Sequence, residues 1–191
     1  AEDPTLMVHA ESAVKFYDGT PLTAGFSLEN GVLAEGDWLD VTTAGEQTDA
    51  GASPNTITAW CVRNAAGDDV TANYNIAVSE APGTLTVEPR PVTLTSASAY
   101  KLYDGQPLTN DAVTVGGRGW VEGQGASFEV TGGQTEIGSS ANTFDYTLNE
   151  GTSASNYAIT KVEGTLTVGN ADAVHEVTVQ AKSGSFTYDG T

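Results

Sequence analysis

The sequence contains little cysteine, methionine, histidine or basic side chain, and these shortages exclude several classes of protein. Its 191 residues include one Cys, one Met and two His. One cysteine cannot form an internal disulfide, so no disulfide framework holds the fold. Lys and Arg number 7 against 25 Asp and Glu, which gives a formal net charge of −18. Nucleic acid and anionic lipid surfaces repel a chain this acidic, and we expect neither as a partner.

Long apolar runs are also missing. No stretch approaches the roughly 20 apolar residues that span a bilayer, so we expect no membrane insertion of this segment. The chain opens on AEDPT rather than on a basic and then apolar signal peptide. We therefore expect an internal piece of a longer protein, with export and anchoring signals outside it.

One short phrase is present three times. It reads FYDGTPLT from Phe16, LYDGQPLT from Leu102 and, cut short, TYDGT from Thr187. Other phrases recur in the same order at a similar distance: EGD with EGQ, QTDAG with QTEIG, ANYNI with SNYAI, and GTLTV twice. The period is the size of a whole small domain and exceeds the roughly 20–50 residues of solenoid units. The sequence therefore predicts a tandem repeat.

Alternating apolar and polar residues predict many short strands. GTLTV puts Leu85 and Val87 on one face, and its second copy puts Leu166 and Val168 there. Such patterns, bounded by Gly, Pro, Asn and Asp, are typical of half-buried strands in antiparallel sheets. No stretch has a convincing helical period. We expect an all-β fold of tandem Ig-like β-sandwich modules in an extended arrangement, with β-grasp-like modules as the alternative.

The repeat positions predict the domain boundaries. Residues 1–5 are a linker from a preceding repeat, 6–88 the first repeat, 89–91 a short Pro-rich linker, and 92–170 the second repeat. Residues 171–191 are a linker and the first strand of a truncated third repeat. One strand has no core, so we expect residues 177–191 to pair with an exposed sheet edge, with strand exchange between molecules possible. The alternative is a permuted boundary, in which each domain begins after one YDG phrase and ends with the next.

The YDG phrase itself predicts a turn. Asp-Gly supplies the positive backbone dihedrals of a tight turn. The Pro two residues later cannot donate a hydrogen bond to a central strand, so we expect the chain to leave the turn along a sheet edge. We expect the tyrosine rings to pack at their own corner with the hydroxyl satisfied locally. The recurring Asn-Tyr pair predicts a second turn, fixed by the Asn side chain. The predicted turn residues are Tyr17, Asp18, Gly19, Tyr103, Asp104, Gly105, Asn73, Tyr74, Asn156 and Tyr157.

Together these phrases resemble the YDG/MBG-type repeats of large bacterial surface proteins and adhesins, over nearly the whole chain. The resemblance implies Ig-like β domains strung in tandem between an export signal and a surface anchor. It implies a structural stalk or spacer that presents a distal domain, contacts with adjacent repeats, and an extracellular location on the bacterial surface. It implies no catalytic residues, and the sequence contains no phosphate loop, zinc spacing or nucleophile elbow. We expect no enzyme.

Two groups of residues are candidates for binding. The acidic side chains of Glu35, Asp37, Asp68 and Asp69 could hold calcium, and no other cofactor is expected. However, the second repeat has Gln124 where the first has Asp37. We expect no catalytic residue among them.

The tryptophans suggest a contact surface. Trp38 aligns with Ser127, and Trp60 aligns with Thr147. Alternation places Cys61 on the inferred core face and both tryptophans on the opposite face. Large aromatics where the other repeat is polar are typical of contact surfaces. Trp38, Trp60 and Arg63 are therefore the candidate patch, and a direct host glycan- or glycoprotein-binding module is the alternative function.

Overall fold

The protein is all-β. A computed structural model describes residues 5–170, and within them the chain forms fifteen strands and two single-turn 3₁₀ helices, with no α-helix. Residues 1–4 of the predicted linker 1–5, and the predicted linker and third-repeat strand at 171–191, lie outside the described residues. The all-β class predicted from alternation is therefore confirmed.

The first repeat contains seven strands. They are β1 (Leu6–Ala10), β2 (Ala13–Phe16), β3 (Phe26–Glu29), β4 (Trp38–Ala44), β5 (Gly51–Arg63), β6 (Ile76–Val78) and β7 (Gly83–Glu88), with a 3₁₀ turn at Thr71–Asn73.

The second repeat contains eight. They are β8 (Arg90–Ser96), β9 (Ala99–Leu102), β10 (Val113–Gly117), β11 (Ala126–Val130), β12 (Gly138–Asn142), β13 (Phe144–Leu148), β14 (Tyr157–Val162) and β15 (Gly164–Gly169), with a 3₁₀ turn at Ala154–Asn156. Pro91, predicted to lie in the linker, is inside β8, so only Pro89 separates the last strand of one repeat from the first of the next.

The two repeats pair their strands in the same way. The first has sheets ordered β3-β1-β6 and β2-β7-β5-β4, and the second has β10-β8-β14 with β12-β15-β9 and β11-β13. The long strand β5 corresponds to β12 and β13, which are interrupted at Thr143. All ten strand pairings of the described chain join strands of one repeat.

The expectation of antiparallel sheets is only partly right. Each repeat has two parallel pairs: β1 with β6 and β2 with β7 in the first, β8 with β14 and β9 with β15 in the second. The chain passes from one sheet to the other between β1 and β2 and continues in the same direction, so β2 joins the last strand in parallel. Gly83 begins that last strand, and a Cβ there would overlap the carbonyl oxygen of Glu11 in the crossing segment.

Buried apolar side chains follow the predicted alternation in the last strands. Leu85, Val87, Leu166 and Val168 are all buried, with Thr residues between them facing outward or half-buried. One buried cluster extends across both repeats. It contains Tyr17, Val87, Val92, Leu94, Phe144 and Tyr157.

Candidate functional site

The first YDG turn is held by a lysine. Lys15 donates from Nζ to Asp18 Oδ1 at 2.6 Å and to the carbonyl of Thr20 at 2.6 Å. The same Asp18 oxygen accepts the backbone N–H of Thr20 at 2.9 Å, and Gly19 has φ +79°. The hydrogen bonds from Lys15 and then Thr20 lower the pKa of Asp18 to about 2.

The second YDG turn repeats this arrangement. Lys101 Nζ lies 2.5 Å from Asp104 Oδ1, which also accepts the N–H of Gln106 at 3.0 Å, and Gly105 has φ +76°. Lys101 lowers the pKa of Asp104. The two corners thus share one backbone frame, and any difference between their tyrosines comes from their surroundings.

Tyr17 packs against the second repeat. Its ring meets the ring of Tyr157 edge-on, with centroids 5.6 Å apart, and only 4 % of the residue is exposed. Its hydroxyl accepts a hydrogen bond from Gln124 Nε2 at 2.9 Å. The prediction of a locally satisfied hydroxyl is therefore wrong for Tyr17, because its partner lies in the neighbouring repeat.

Gln124 connects the two tyrosines. Its Oε1 accepts the hydroxyl of Tyr157, while its Nε2 donates to Tyr17. The Tyr157 oxygen in turn accepts the N–H of Val121 at 3.2 Å, and Trp120 packs edge-on against its ring at 4.8 Å. Burial raises the pKa of Tyr157, so its hydroxyl stays protonated and able to donate. We call this contact region the joint: Tyr17, Arg90, Gln124, Asn156 and Tyr157.

Two arginines add contacts across the joint. Arg90 donates to three carbonyls: Gly119 at 2.8 Å, Arg118 at 2.6 Å and, in the first repeat, Tyr17 at 3.3 Å. The guanidinium of Arg118 lies 4.2 Å from the ring centroid of Phe16. The planar fork of Arg90 thus joins the backbone of the first repeat at Tyr17 to the Arg118–Gly119 segment of the second.

Asn156 also reaches across the joint. Its Nδ2 donates to Asp49 Oδ1 at 2.8 Å, and its Oδ1 accepts the N–H of Ala50 at 2.8 Å. The prediction that this side chain fixes its own turn is wrong, because both polar atoms bind the first repeat. Its counterpart Asn73 is exposed.

Tyr103 differs from Tyr17 despite the identical corner. It is 40 % exposed, whereas Tyr17 is 4 % exposed. Only its backbone repeats the pattern of the first copy, with its N–H bonded to the carbonyl of Gly169 as that of Tyr17 is to Glu88.

The first repeat has its own version of the Tyr157 site. Tyr74 donates to Asp37 Oδ2 at 2.6 Å and accepts the N–H of Ala34 at 3.0 Å. The hydrogen bond to Asp37 raises the pKa of Tyr74. Asp37 thus corresponds to Gln124 in position and in partner.

The predicted calcium ligands do not form a cluster. Asp37 binds Tyr74, and Asp69 Oδ1 accepts the N–H of Thr71 at 2.9 Å. Asp68 and Glu35 are exposed. In residues 5–170, no three side chains of His, Cys, Asp or Glu lie where they could hold a metal ion together.

Whether the two tryptophans share a surface depends on which residues of β5 face the core. In the pairing of β4 with β5, Thr42 lies opposite Ala59 but Thr43 lies opposite Ile57, so Thr58 is an extra residue. A β-bulge of this kind shifts the in–out alternation by one. Residues before and after Thr58 therefore follow opposite parity.

Beyond the bulge, Trp60 shares a face with the fully buried Val62, whereas Trp38 lies opposite Arg63 on the other face. The predicted patch of Trp38, Trp60 and Arg63 is wrong as a single surface. The core assignment of Cys61 is wrong for the same reason, since it shares the outer face and is only half-buried.

The outer face of β4 and β5 is partly occupied by its own contacts. Trp38 is 43 % exposed. Arg63 donates to Asp40 Oδ2 at 2.9 Å and to the carbonyl of Gly67 at 3.1 Å, so its guanidinium is already engaged.

A buried asparagine, which the sequence reasoning missed, occupies the same place in each repeat. Asn55 Nδ2 donates to the carbonyls of Glu11, Ala24 and Gly25 at 2.9–3.2 Å. Asn142 Nδ2 donates to those of Ala97 and Asn110 at 2.9 and 2.8 Å. Asn55 thus ties the crossing segment of the first repeat to the loop before β3, and Asn142 ties that of the second repeat to the loop before β10. A polar residue recurring at the same strand position in both copies was the available signal.

Comparisons with protein-family models, with curated proteins and with solved structures return no match. Among residues 5–170, none belongs to a helix with the length and apolar character needed to cross a membrane.

Proposed function

We propose that the chain is a structural repeat segment of a bacterial cell-surface adhesin-like protein, acting as a stalk or spacer that presents a distal domain. In this proposal, residues 6–88 and 92–170 are two copies of one Ig-like β module in an extended series, and a third copy begins near residue 171. The recurring YDG phrases and the matching strand pairings support it. No catalytic role is part of it.

The joint is the observation that carries this proposal. Domains joined by ordinary linkers move relative to each other unless their interface is substantial. Here one residue separates the strands, and the joint has an aromatic pair worth about 0.5–1.5 kcal/mol and several hydrogen bonds worth about 1 kcal/mol each. A total near 3 kcal/mol would keep the undocked state at about 1 %. A stalk requires such fixed joints, whereas an isolated binding domain does not.

The location has a direct test. Antibodies raised against the chain should label intact cells of the source bacterium without permeabilisation. Labelling that appears only after permeabilisation would contradict a surface stalk.

One observation favours the second candidate, a host glycan- or glycoprotein-binding module. Trp38 is a large exposed aromatic beside Arg63, a pairing that suits a sugar ring. Because Arg63 already binds Asp40 and Gly67, a ligand would have to displace those contacts. We expect no saturable signal on a glycan array. Saturable binding that Trp38→Ala abolishes and Trp60→Phe preserves would favour the binding module instead.

A further inference from the structure

The end of the second repeat carries an uncovered copy of the surface that forms the joint. We propose that this surface docks a further repeat of the same kind, with Tyr103 taking the part that Tyr17 takes in the joint. The inference rests on the proposed tandem stalk and names the surface that joins the next module. We call this surface the open end: Leu102, Tyr103, Gly105, Leu108, Glu136 and Ile137.

The backbone of the open end has the same hydrogen bonds as the backbone around Tyr17 at the joint. Leu22 bridges to Gln47 in the first repeat and Leu108 to Gln134 in the second. Each glutamine then donates from Nε2, at 2.7 Å, to the carbonyl two residues later. With the matching Lys–Asp turns, these bonds present the two tyrosines on equivalent backbones.

What differs is burial. At the joint, Tyr17 is 4 % exposed, and Phe16 and Ala50 are half-buried. Their counterparts Leu102, Tyr103 and Ile137 are 52 %, 40 % and 56 % exposed. Exposed apolar residues grouped in one patch mark interaction sites more often than scattered ones do.

The occupant is identified by the face that covers Tyr17. In the second repeat that face presents Gln124 bonded to the hydroxyl of Tyr157. The first repeat presents the same face in another form, with Asp37 bonded to the hydroxyl of Tyr74. An amide or a carboxylate at this position can each bond a further tyrosine hydroxyl, the first by donating and the second by accepting. Both copies therefore carry a face that fits the open end.

The third copy is aligned only as far as the counterpart of Gln106. Tyr188, Asp189, Gly190 and Thr191 align with Tyr103 to Gln106. The counterparts of Gln124, Asn156 and Tyr157 come later in the alignment. The contacts proposed for Tyr103 therefore need a complete further repeat.

The alignment provides the test. Appending residues 107–170 after Thr191 completes a third repeat with the Gln124-type face, and appending residues 21–88 completes one with the Asp37-type face. We expect Tyr103→Phe to leave the 191-residue chain unchanged in urea unfolding. In the chain extended by residues 107–170, it should shift the unfolding equilibrium constant about tenfold, as Tyr17→Phe does in both chains. Replacing the added copy of Gln124 by Met should remove that effect.

Three results would overturn the inference. The first is a silent Tyr103→Phe in both extended chains while Tyr17→Phe destabilises them. The second is an equal loss from Tyr103→Phe in the 191-residue chain, which would mean that the corner is already covered. The third is that neither extension forms a folded third repeat. These unfolding measurements are independent of the antibody labelling of cells. The docking inference can therefore hold if the stalk assignment fails, and it can fail if the stalk assignment holds.

Discussion

The hydrogen bond from Gln124 to Tyr17 offers a quantitative test of the joint. Tyr17→Phe keeps the buried ring and removes only the hydroxyl that accepts from Gln124 Nε2. It leaves a partly buried amide donor without its partner, which costs about 1 kcal/mol. Gln124→Met keeps the side-chain length but removes the bonds to both tyrosines, so we expect a loss of about 2 kcal/mol.

The double variant separates a direct bond from two independent effects. If the bond exists, Tyr17→Phe costs nothing further once Gln124 is Met, and the coupling energy is about 1 kcal/mol. Tyr103→Phe is the matched control, since that residue has the same corner but is 40 % exposed. We expect it to change stability by less than about 0.5 kcal/mol.

The assay is urea unfolding followed by tryptophan fluorescence. Replacing Trp38 and Trp60 by Phe in every variant leaves Trp120, whose ring is 4.8 Å from that of Tyr157, as the reporter of the joint. If the loss of stability in the double variant equals the sum of the losses in the two single variants, the hydrogen bond between Gln124 and Tyr17 is refuted. A loss from Tyr17→Phe as small as the one expected of Tyr103→Phe would refute the assignment of Tyr17 to the interface.

Three further predictions concern the repeats themselves. Asn55→Ala should lower the free energy of unfolding by about 3 kcal/mol, because it removes three hydrogen bonds worth about 1 kcal/mol each from a buried side chain, whereas exposed Asn73→Ala should be nearly neutral in the same chemical denaturation. Asp18 has its pKa lowered from 3.8 to about 2, so its contribution is present above about pH 4 and is lost as the pH falls toward 2. Because that side chain is 45 % exposed, we discount the full shift to about 1 kcal/mol; Asp18→Asn should be destabilising at pH 7 and neutral near pH 2, and an unchanged difference at both pH values would contradict the Lys15 pair. Melting temperatures in chelator and in millimolar calcium should coincide, since no three ligating side chains gather in residues 5–170; a rise of several degrees with calcium would show a site formed in another way.

The strand positions could be predicted because alternation is a local property. Leu85, Val87 and their counterparts Leu166 and Val168 are buried as the pattern predicts. Local patterns also predicted the low helix content. They did not predict that each repeat would contain parallel pairs, since pair direction depends on how the chain crosses between sheets.

The phase of β5 could not be predicted from one strand alone. Thr58 looks like an ordinary strand residue, yet it is the extra residue of a bulge, and everything after it changes face. Counting from the matched Asn55 and Asn142 and leaving out the extra Thr58, Ile57 matches Phe144 and Trp60 matches Tyr146. Aligning Trp60 with Thr147 placed it one residue off and on the wrong face.

The joint was missed for a different reason. Turn chemistry predicts the conformation of the YDG corner but not which residue meets the tyrosine hydroxyl, and that residue is more than a hundred positions away in the sequence. The difference between Asp37 and Gln124 was visible in the alignment. The alignment alone does not show that Gln124 donates to one tyrosine and accepts from another, which explains why the second repeat has an amide at this position.

The fixed geometry of the joint is best tested by measuring the distance between the two repeats in solution. Spin labels at Thr56→Cys and Thr147→Cys, both exposed strand positions in different repeats, can be placed in a Cys61→Ser background. An ordered joint predicts one narrow distance distribution in double electron–electron resonance, which broadens when Tyr17→Ala and Arg90→Gly are combined. A broad distribution in the otherwise unaltered chain would contradict it.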